Sequence, residues 1–65
     1  MQTVCVVVPC YNEAARLRSA EFLAFLEGRP DASLCFVDDG SRDRTWEVLC
    51  ALRDERPSQV LVHQV

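Results

Sequence analysis

The sequence predicts an α/β fold with a parallel sheet, in the order β-α-β-α-β. Three short apolar runs, two segments of helical periodicity between them and short polar connections all favour this order. Each helix is then expected to connect its two flanking strands in the right-handed sense. The chain of 65 residues is predicted to form one domain, residues 1–65.

The three predicted strands are residues 3–8, 33–37 and 60–65. The first is apolar almost throughout, and such continuous apolarity is typical of a parallel strand that is covered on both faces. Pro9 is predicted to end it. If the strands follow the order 3-2-1, the first strand keeps an open edge, and an unpaired apolar edge is a liability for a folded protein. We therefore expect the chain to be the incomplete half of a larger three-layer Rossmann-like domain.

The first predicted helix contains Phe22, Phe25 and Leu26 at helical spacing, with Ser19 as its N-cap. Gly28 is expected to lie just beyond its end. The second predicted helix is capped by Asp43. One face of it is expected to be formed by Thr45, Val48, Leu49 and Leu52.

Composition excludes several classes of protein. The net charge is −3 and the basic residues are scattered, whereas a nucleic-acid surface needs them clustered. No apolar stretch approaches the roughly 20 residues that span a membrane. The cysteines include no C-x-x-C pair, which argues against a zinc site, and we expect all of them to be reduced and structural.

The candidate site lies in residues 9–13 and 38–43, because parallel sheets bind ligands beyond the carboxyl ends of their strands. Asp38 and Asp39 are adjacent, so on a strand they point to opposite sides. One of them is expected to face a ligand and the other to serve the following turn. The alternative is that this segment is only a turn with a helix cap, since Asp, Gly and Ser are common turn residues.

Two more side chains in these loops suit a nucleotide. The ring of Tyr11 could stack on a nucleobase, and Glu13 could accept a hydroxyl or a base N–H. The alternatives are a tyrosine that packs on the surface and an acidic residue favoured by the helix dipole. The loop after the first strand contains no glycine, which excludes a dinucleotide fingerprint and a P-loop.

Taken together, residues 6–13 (VVVPCYNE) and 36–45 (FVDDGSRDRT) resemble the opening of the family 2 glycosyltransferases, which have the GT-A fold. The PCYNE form is most similar to members that transfer sugars to polyprenyl or dolichyl phosphate. The resemblance implies that Pro9 and Tyr11 shape a nucleotide-sugar pocket with Tyr11 against the base. It implies that Asp39 accepts the base N–H, that Glu13 also contacts the nucleotide, and that Asp38 supports the turn.

The resemblance also implies a reaction. A sugar passes from a nucleoside diphosphate of the UDP or GDP type to an acceptor oxygen, for instance of polyprenyl phosphate, with inversion. Mg²⁺ or Mn²⁺ neutralises the leaving diphosphate. The family binds this metal with an Asp-x-Asp motif, which is absent from this sequence, and its general base also lies further on.

The expected result is a nucleotide-binding fragment with no catalytic or metal-binding residue, inactive alone and located in the cytoplasm or at its membrane face. Two alternatives stay open. One is a non-catalytic nucleotide-binding module, and the other is an unrelated small α/β domain with a decorated turn.

Overall fold

A computed structural model describes residues 3–65 and alternates strands with helices. Met1 and Gln2, which the predicted domain includes, lie outside the described residues. The elements are β1 (Val4–Cys10), α1 (Ser19–Leu26), β2 (Ala32–Asp38), α2 (Thr45–Glu55) and β3 (Val60–Gln64). Neither helix of residues 3–65 combines the length and the apolarity that a bilayer crossing requires.

The sheet confirms the predicted fold class. Its strand order is β1-β2-β3, and β2 pairs in parallel with both neighbours. The register places Cys10 beside Asp38, so β1 and β2 end at the same level. The loops that follow these two strands therefore leave the sheet side by side.

Both helices pack on one face of the sheet. The buried positions of β2 alternate from Ala32 to Asp38, and the residues between them are only half-buried. The buried core contains Leu26 of α1, Leu49 of α2 and Phe36 of β2. Within residues 3–65 the helices thus form a single layer, and the expected second helical layer is not contributed by these residues.

The expectation that β1 is covered on both faces is wrong for the described residues. Val4 is 45% exposed and Val7 is 63% exposed. The reason is the position of the strand, since it pairs with β2 alone and one face of the sheet carries no helix. The continuous apolarity of β1 predicted its parallel pairing correctly, but it did not predict that the side chains of the strand are exposed.

The prediction that Pro9 ends β1 is also wrong, because the strand continues to Cys10. Val4 donates its N–H to Asp31, and the carbonyl of Cys10 accepts the N–H of Asp39, so the even-numbered residues of β1 direct their backbone polar groups toward β2. Pro9 is odd-numbered, and its nitrogen faces the open edge. A proline at that edge costs the ladder no hydrogen bond.

Helix starts differ from the predictions by one position. The N-cap of α1 is Arg18 rather than Ser19, which is already the first helical residue. Arg18 makes no side-chain cap bond, because a guanidinium has only donors and the N–H groups of the first turn need an acceptor. The N-cap position of α2 is Arg44, yet Asp43 Oδ1 accepts the N–H of Thr45 at 2.9 Å. Asp43 therefore supports the start of α2 from the residue before the N-cap and not from the N-cap itself.

Candidate functional site at the ends of the first two strands

Two loops form the candidate site. The first loop, residues 11–18, follows β1, and the second loop, residues 39–44, follows β2. The N–H of Asp39 donates to the carbonyl of Cys10 at 2.9 Å, which extends the strand pairing by one bond beyond Asp38. Tyr11 and Asp39 are the residues that follow the last register pair, so the backbones of the two loops begin next to each other.

The two adjacent aspartates have different environments. Asp38 has no exposed surface. Its Oδ1 accepts the N–H of Ser41 at 3.0 Å, and its Oδ2 lies 3.5 Å from Nε2 of Gln64. Gly40, with φ of +74°, provides the left-handed residue of this turn. Asp39 is exposed. One carboxylate thus serves the turn and its neighbour faces solvent, as the alternation of the strand predicts.

Tyr11 is 53% exposed, and the chain bends at Tyr11 and Asn12. Asn12 has φ of +50°, a left-handed conformation that asparagine tolerates better than most residues. A ring of this exposure, directly after the end of β1, is accessible to a planar ligand.

Reciprocal hydrogen bonds connect the two loops through Asn12. Its Oδ1 accepts the N–H of Arg42 at 2.8 Å, and its own N–H donates to Oγ of Ser41 at 2.9 Å. The side chains of Asn12 and Ser41 therefore bond across the site.

Thr45 adds a second connection between the loops. Its hydroxyl accepts the N–H of Glu13 at 2.8 Å and the N–H of Ala14 at 3.1 Å, and it donates to Oδ1 of Asp43. Oδ2 of Asp43 also accepts the Ala14 N–H, at 3.3 Å. Three consecutive N–H groups of the first loop therefore donate to side chains of residues 41–45.

Sequence reasoning missed this use of Thr45, which was placed only on the buried face of α2. A usable signal was present. A hydroxyl on a buried face must find hydrogen-bond partners inside the protein, because burying an unpaired polar group is costly. Thr45 is completely buried, and its nearest unpaired backbone groups are those of the neighbouring loop.

The carboxylate of Asp43 is stabilised by these contacts. The hydrogen bond from the Thr45 hydroxyl, followed by smaller backbone bonds from Thr45 and Ala14, lowers the pKa of Asp43 below its ordinary value of 3.8. At any pH above that ordinary value, Asp43 therefore remains ionised and accepts the hydrogen bonds from Ala14 and Thr45.

A groove of about 700 Å³ lies beside the loops, between β1 and α1. Its lining includes Val8, Pro9, Cys10, Glu13 and Phe22. Glu13 is half-buried there, and its Oε1 accepts a hydrogen bond from Nη2 of Arg16 at 3.1 Å. The predicted site residues thus occupy two adjoining places, with Pro9 and Glu13 in the groove and Tyr11 and Asp39 on the loop surface.

The model of the family described as Glycosyl transferase family 2 matches residues 5–64, which is nearly the whole chain and includes both loops. The chain belongs to glycosyl transferase family 2. Among curated proteins no match was found. Family membership excludes the alternative of an unrelated small α/β domain with a decorated turn.

The metal expected for a family 2 glycosyltransferase does not fit the side chains described. Residues 3–65 bring no three His, Cys, Asp or Glu side chains together in a way that could hold a metal ion. Asp38 is buried and bonded to its own turn, and Asp43 is engaged by Thr45.

All four cysteines of this family 2 chain are free thiols, and Cys10 is the buried one, at the end of β1. Burial raises the pKa of Cys10 above 9.0, and the nearby Glu13 and Asp38 carboxylates raise it further. Because the thiolate is the reactive form, we expect iodoacetamide to alkylate exposed Cys5 well before Cys10. Peptide mass spectrometry over a time course measures this, and the denatured chain is the control. Equal rates in the folded chain would contradict the burial of Cys10.

Proposed function

We propose that this chain binds the nucleotide of a nucleoside diphosphate sugar at the carboxyl ends of β1 and β2, as the donor-binding part of a sugar-transfer reaction. One observation carries the proposal. The two loops are hydrogen-bonded to each other where they leave the sheet, and a groove lies alongside them. Tyr11 and Asp39 are both exposed, and each directly follows a member of the last residue pair of β1 and β2. An aromatic ring and a carboxylate on residues that follow neighbouring strand ends suit a base that has a face for stacking and an N–H for hydrogen bonding.

Each residue has a distinct part in the proposal. Tyr11 stacks on the base, and Asp39 accepts the imide N–H of uracil or the amide N–H of guanine. Pro9 and Glu13 lie in the adjoining groove, where the Glu13 carboxylate can accept a ribose or sugar hydroxyl. Asp38 contributes through the turn that presents Asp39. The donor is of the UDP or GDP type, because both bases offer such an N–H.

In the reaction we propose, the bond between the sugar and the diphosphate breaks and a bond to an acceptor oxygen forms, with inversion. Polyprenyl phosphate is the proposed acceptor, and the cytoplasm is the proposed location, in keeping with the free thiols. A divalent cation would neutralise the leaving diphosphate. Since no ligand set for it exists among residues 3–65, we expect this chain to bind the donor without transferring the sugar.

Calorimetric titration of the chain with UDP and GDP, with CDP and ADP as controls, tests the proposal. We expect Tyr11→Ala to weaken binding by about 5- to 150-fold, the equivalent of losing one base stack. Tyr11→Phe retains the ring and is expected to bind more tightly than Tyr11→Ala.

Three results would contradict the proposal. They are no binding of either nucleotide, equal affinity for all four nucleotides, or equal losses in the two Tyr11 variants. A transfer assay with radiolabelled donor sugar separates a donor-binding part from a complete enzyme. Turnover by this chain alone would overturn the expectation that it does not transfer the sugar.

A further inference from the structure

We infer that four side chains, Asn12, Ser41, Asp43 and Thr45, form a loop clamp that positions Tyr11 and Asp39 for the nucleotide, with Thr45 as its central positioning residue. None of the four needs to touch the ligand. The inference rests on the proposed function, because it concerns how the same site is held in shape.

Thr45 is suited to this role by its hydrogen-bonding capacity. A hydroxyl has one donor hydrogen and two acceptor lone pairs. Thr45 uses the hydrogen toward Asp43 and both lone pairs toward the N–H groups of Glu13 and Ala14. Thr45 is completely buried at the first turn of α2, so its hydroxyl has a fixed position. The hydrogen bonds to this hydroxyl then fix the position of the first loop.

Asn12 holds the part of the first loop that is nearest to Tyr11. Its left-handed backbone is a conformation that an unsupported L-residue rarely adopts. The bonds to Ser41 and from Arg42 hold it there. Without them, the chain after Tyr11 could relax to a commoner conformation, and the position of the Tyr11 ring relative to Asp39 would no longer be fixed.

The clamp also explains why few bonds within the first loop are needed. The N–H groups of Asn12, Glu13 and Ala14 all donate to side chains of residues 41–45, so the conformation of the first loop depends on residues about 30 positions away in sequence. A site that is already ordered before binding loses less conformational freedom when the ligand arrives. The clamp should therefore raise nucleotide affinity without contributing a contact.

The test compares Thr45→Val, which has nearly the same shape but lacks the hydroxyl, with Thr45→Ser, which retains the hydroxyl. Amide hydrogen exchange by NMR reports the clamp, through the protection of Glu13 and Ala14. Calorimetry with the nucleotide that binds the wild type reports its effect. We expect Thr45→Val to lose that protection and to bind on the order of tenfold more weakly, and Thr45→Ser to recover most of both.

Protection of the Phe36 amide in β2 shows that each variant is folded. If Thr45→Val does not fold, Ser41→Ala and Asn12→Gly replace it, since Asn12 is exposed, Ser41 is only half-buried and glycine tolerates the left-handed backbone. Their reporters are the amides that lose an acceptor, residue 12 in Ser41→Ala and Arg42 in Asn12→Gly. A variant whose reporter amides lose protection but which binds like the wild type overturns the positioning role. A variant whose reporter amides keep full protection shows that the removed side chain does not hold the loops together, and it overturns the clamp. If the wild type binds no nucleotide, the proposed function itself fails, and the exchange data still show whether the clamp exists.

Discussion

Replacing Phe36 by alanine is expected to unfold the chain. Phe36 is completely buried in the centre of β2, and its ring meets that of Phe22 edge-to-face at 5.0 Å between centroids. Removing a buried phenylalanine side chain typically costs about 3–5 kcal/mol. A domain of this length has a total stability of only about 3–10 kcal/mol, and small domains bury a limited share of their surface. The loss therefore approaches the whole stability of the fold.

The matched control for this prediction is Phe25→Ala. Phe25 is on α1 but is 38% exposed, and Cζ of the Arg29 guanidinium lies 5.2 Å from the centroid of its ring. An exposed cation–π contact is worth about 0.5–1 kcal/mol, so this variant should remain folded. Urea unfolding followed by circular dichroism measures both. Equal destabilisation by the two substitutions would contradict the core described for Phe36.

Replacing Asp39 by alanine is expected to have the largest effect on nucleotide binding. In the proposed complex its carboxylate accepts the base N–H, and a hydrogen bond to a charged group contributes about 1.5–3 kcal/mol. Its loss corresponds to roughly 10- to 150-fold weaker binding. Stability should change little, because Asp39 is exposed and only its backbone N–H is used in the fold.

Two controls make the Asp39 measurement specific. Asp54→Ala removes the same charge from the exposed side of α2, where the carboxylate only pairs with Arg53, and should leave binding unchanged. Asp38→Asn keeps the Oδ1 acceptor for Ser41 and should weaken binding less than Asp39→Ala. Equal losses in the Asp38 and Asp39 variants, or a loss in Asp54→Ala, would contradict the assignment of Asp39 as the base acceptor.

Local sequence patterns predicted the order of strands and helices and the opposite orientations of Asp38 and Asp39. They did so because each depends on neighbours in sequence. Apolar runs set the strands, turn residues set the connections, and alternation along a strand turns two adjacent side chains to opposite sides, while the family resemblance assigned Asp38 to the turn. The family motif in residues 6–13 and 36–45 lies within these same strand ends.

The exposure of β1 and the continuation of the strand through Pro9 depended on strand order, which local patterns do not contain. With the order β1-β2-β3 and right-handed crossovers, both helices pack on the same face, so the other face of these strands is uncovered. The same order makes β1 an edge, where a proline nitrogen has no partner to lose. An apolar run looks the same in the sequence whether its second face is covered or bare.

By itself, the sequence determined the order of strands and helices and which aromatic and acidic side chains follow the first two strands. Only the tertiary structure decided how those ends are joined. The bonds from Asn12, Glu13 and Ala14 to Ser41, Asp43 and Thr45 connect residues that periodicity cannot relate. Their partners are backbone N–H groups, which every residue but proline carries, so the pairing is determined by proximity in the fold rather than by residue type.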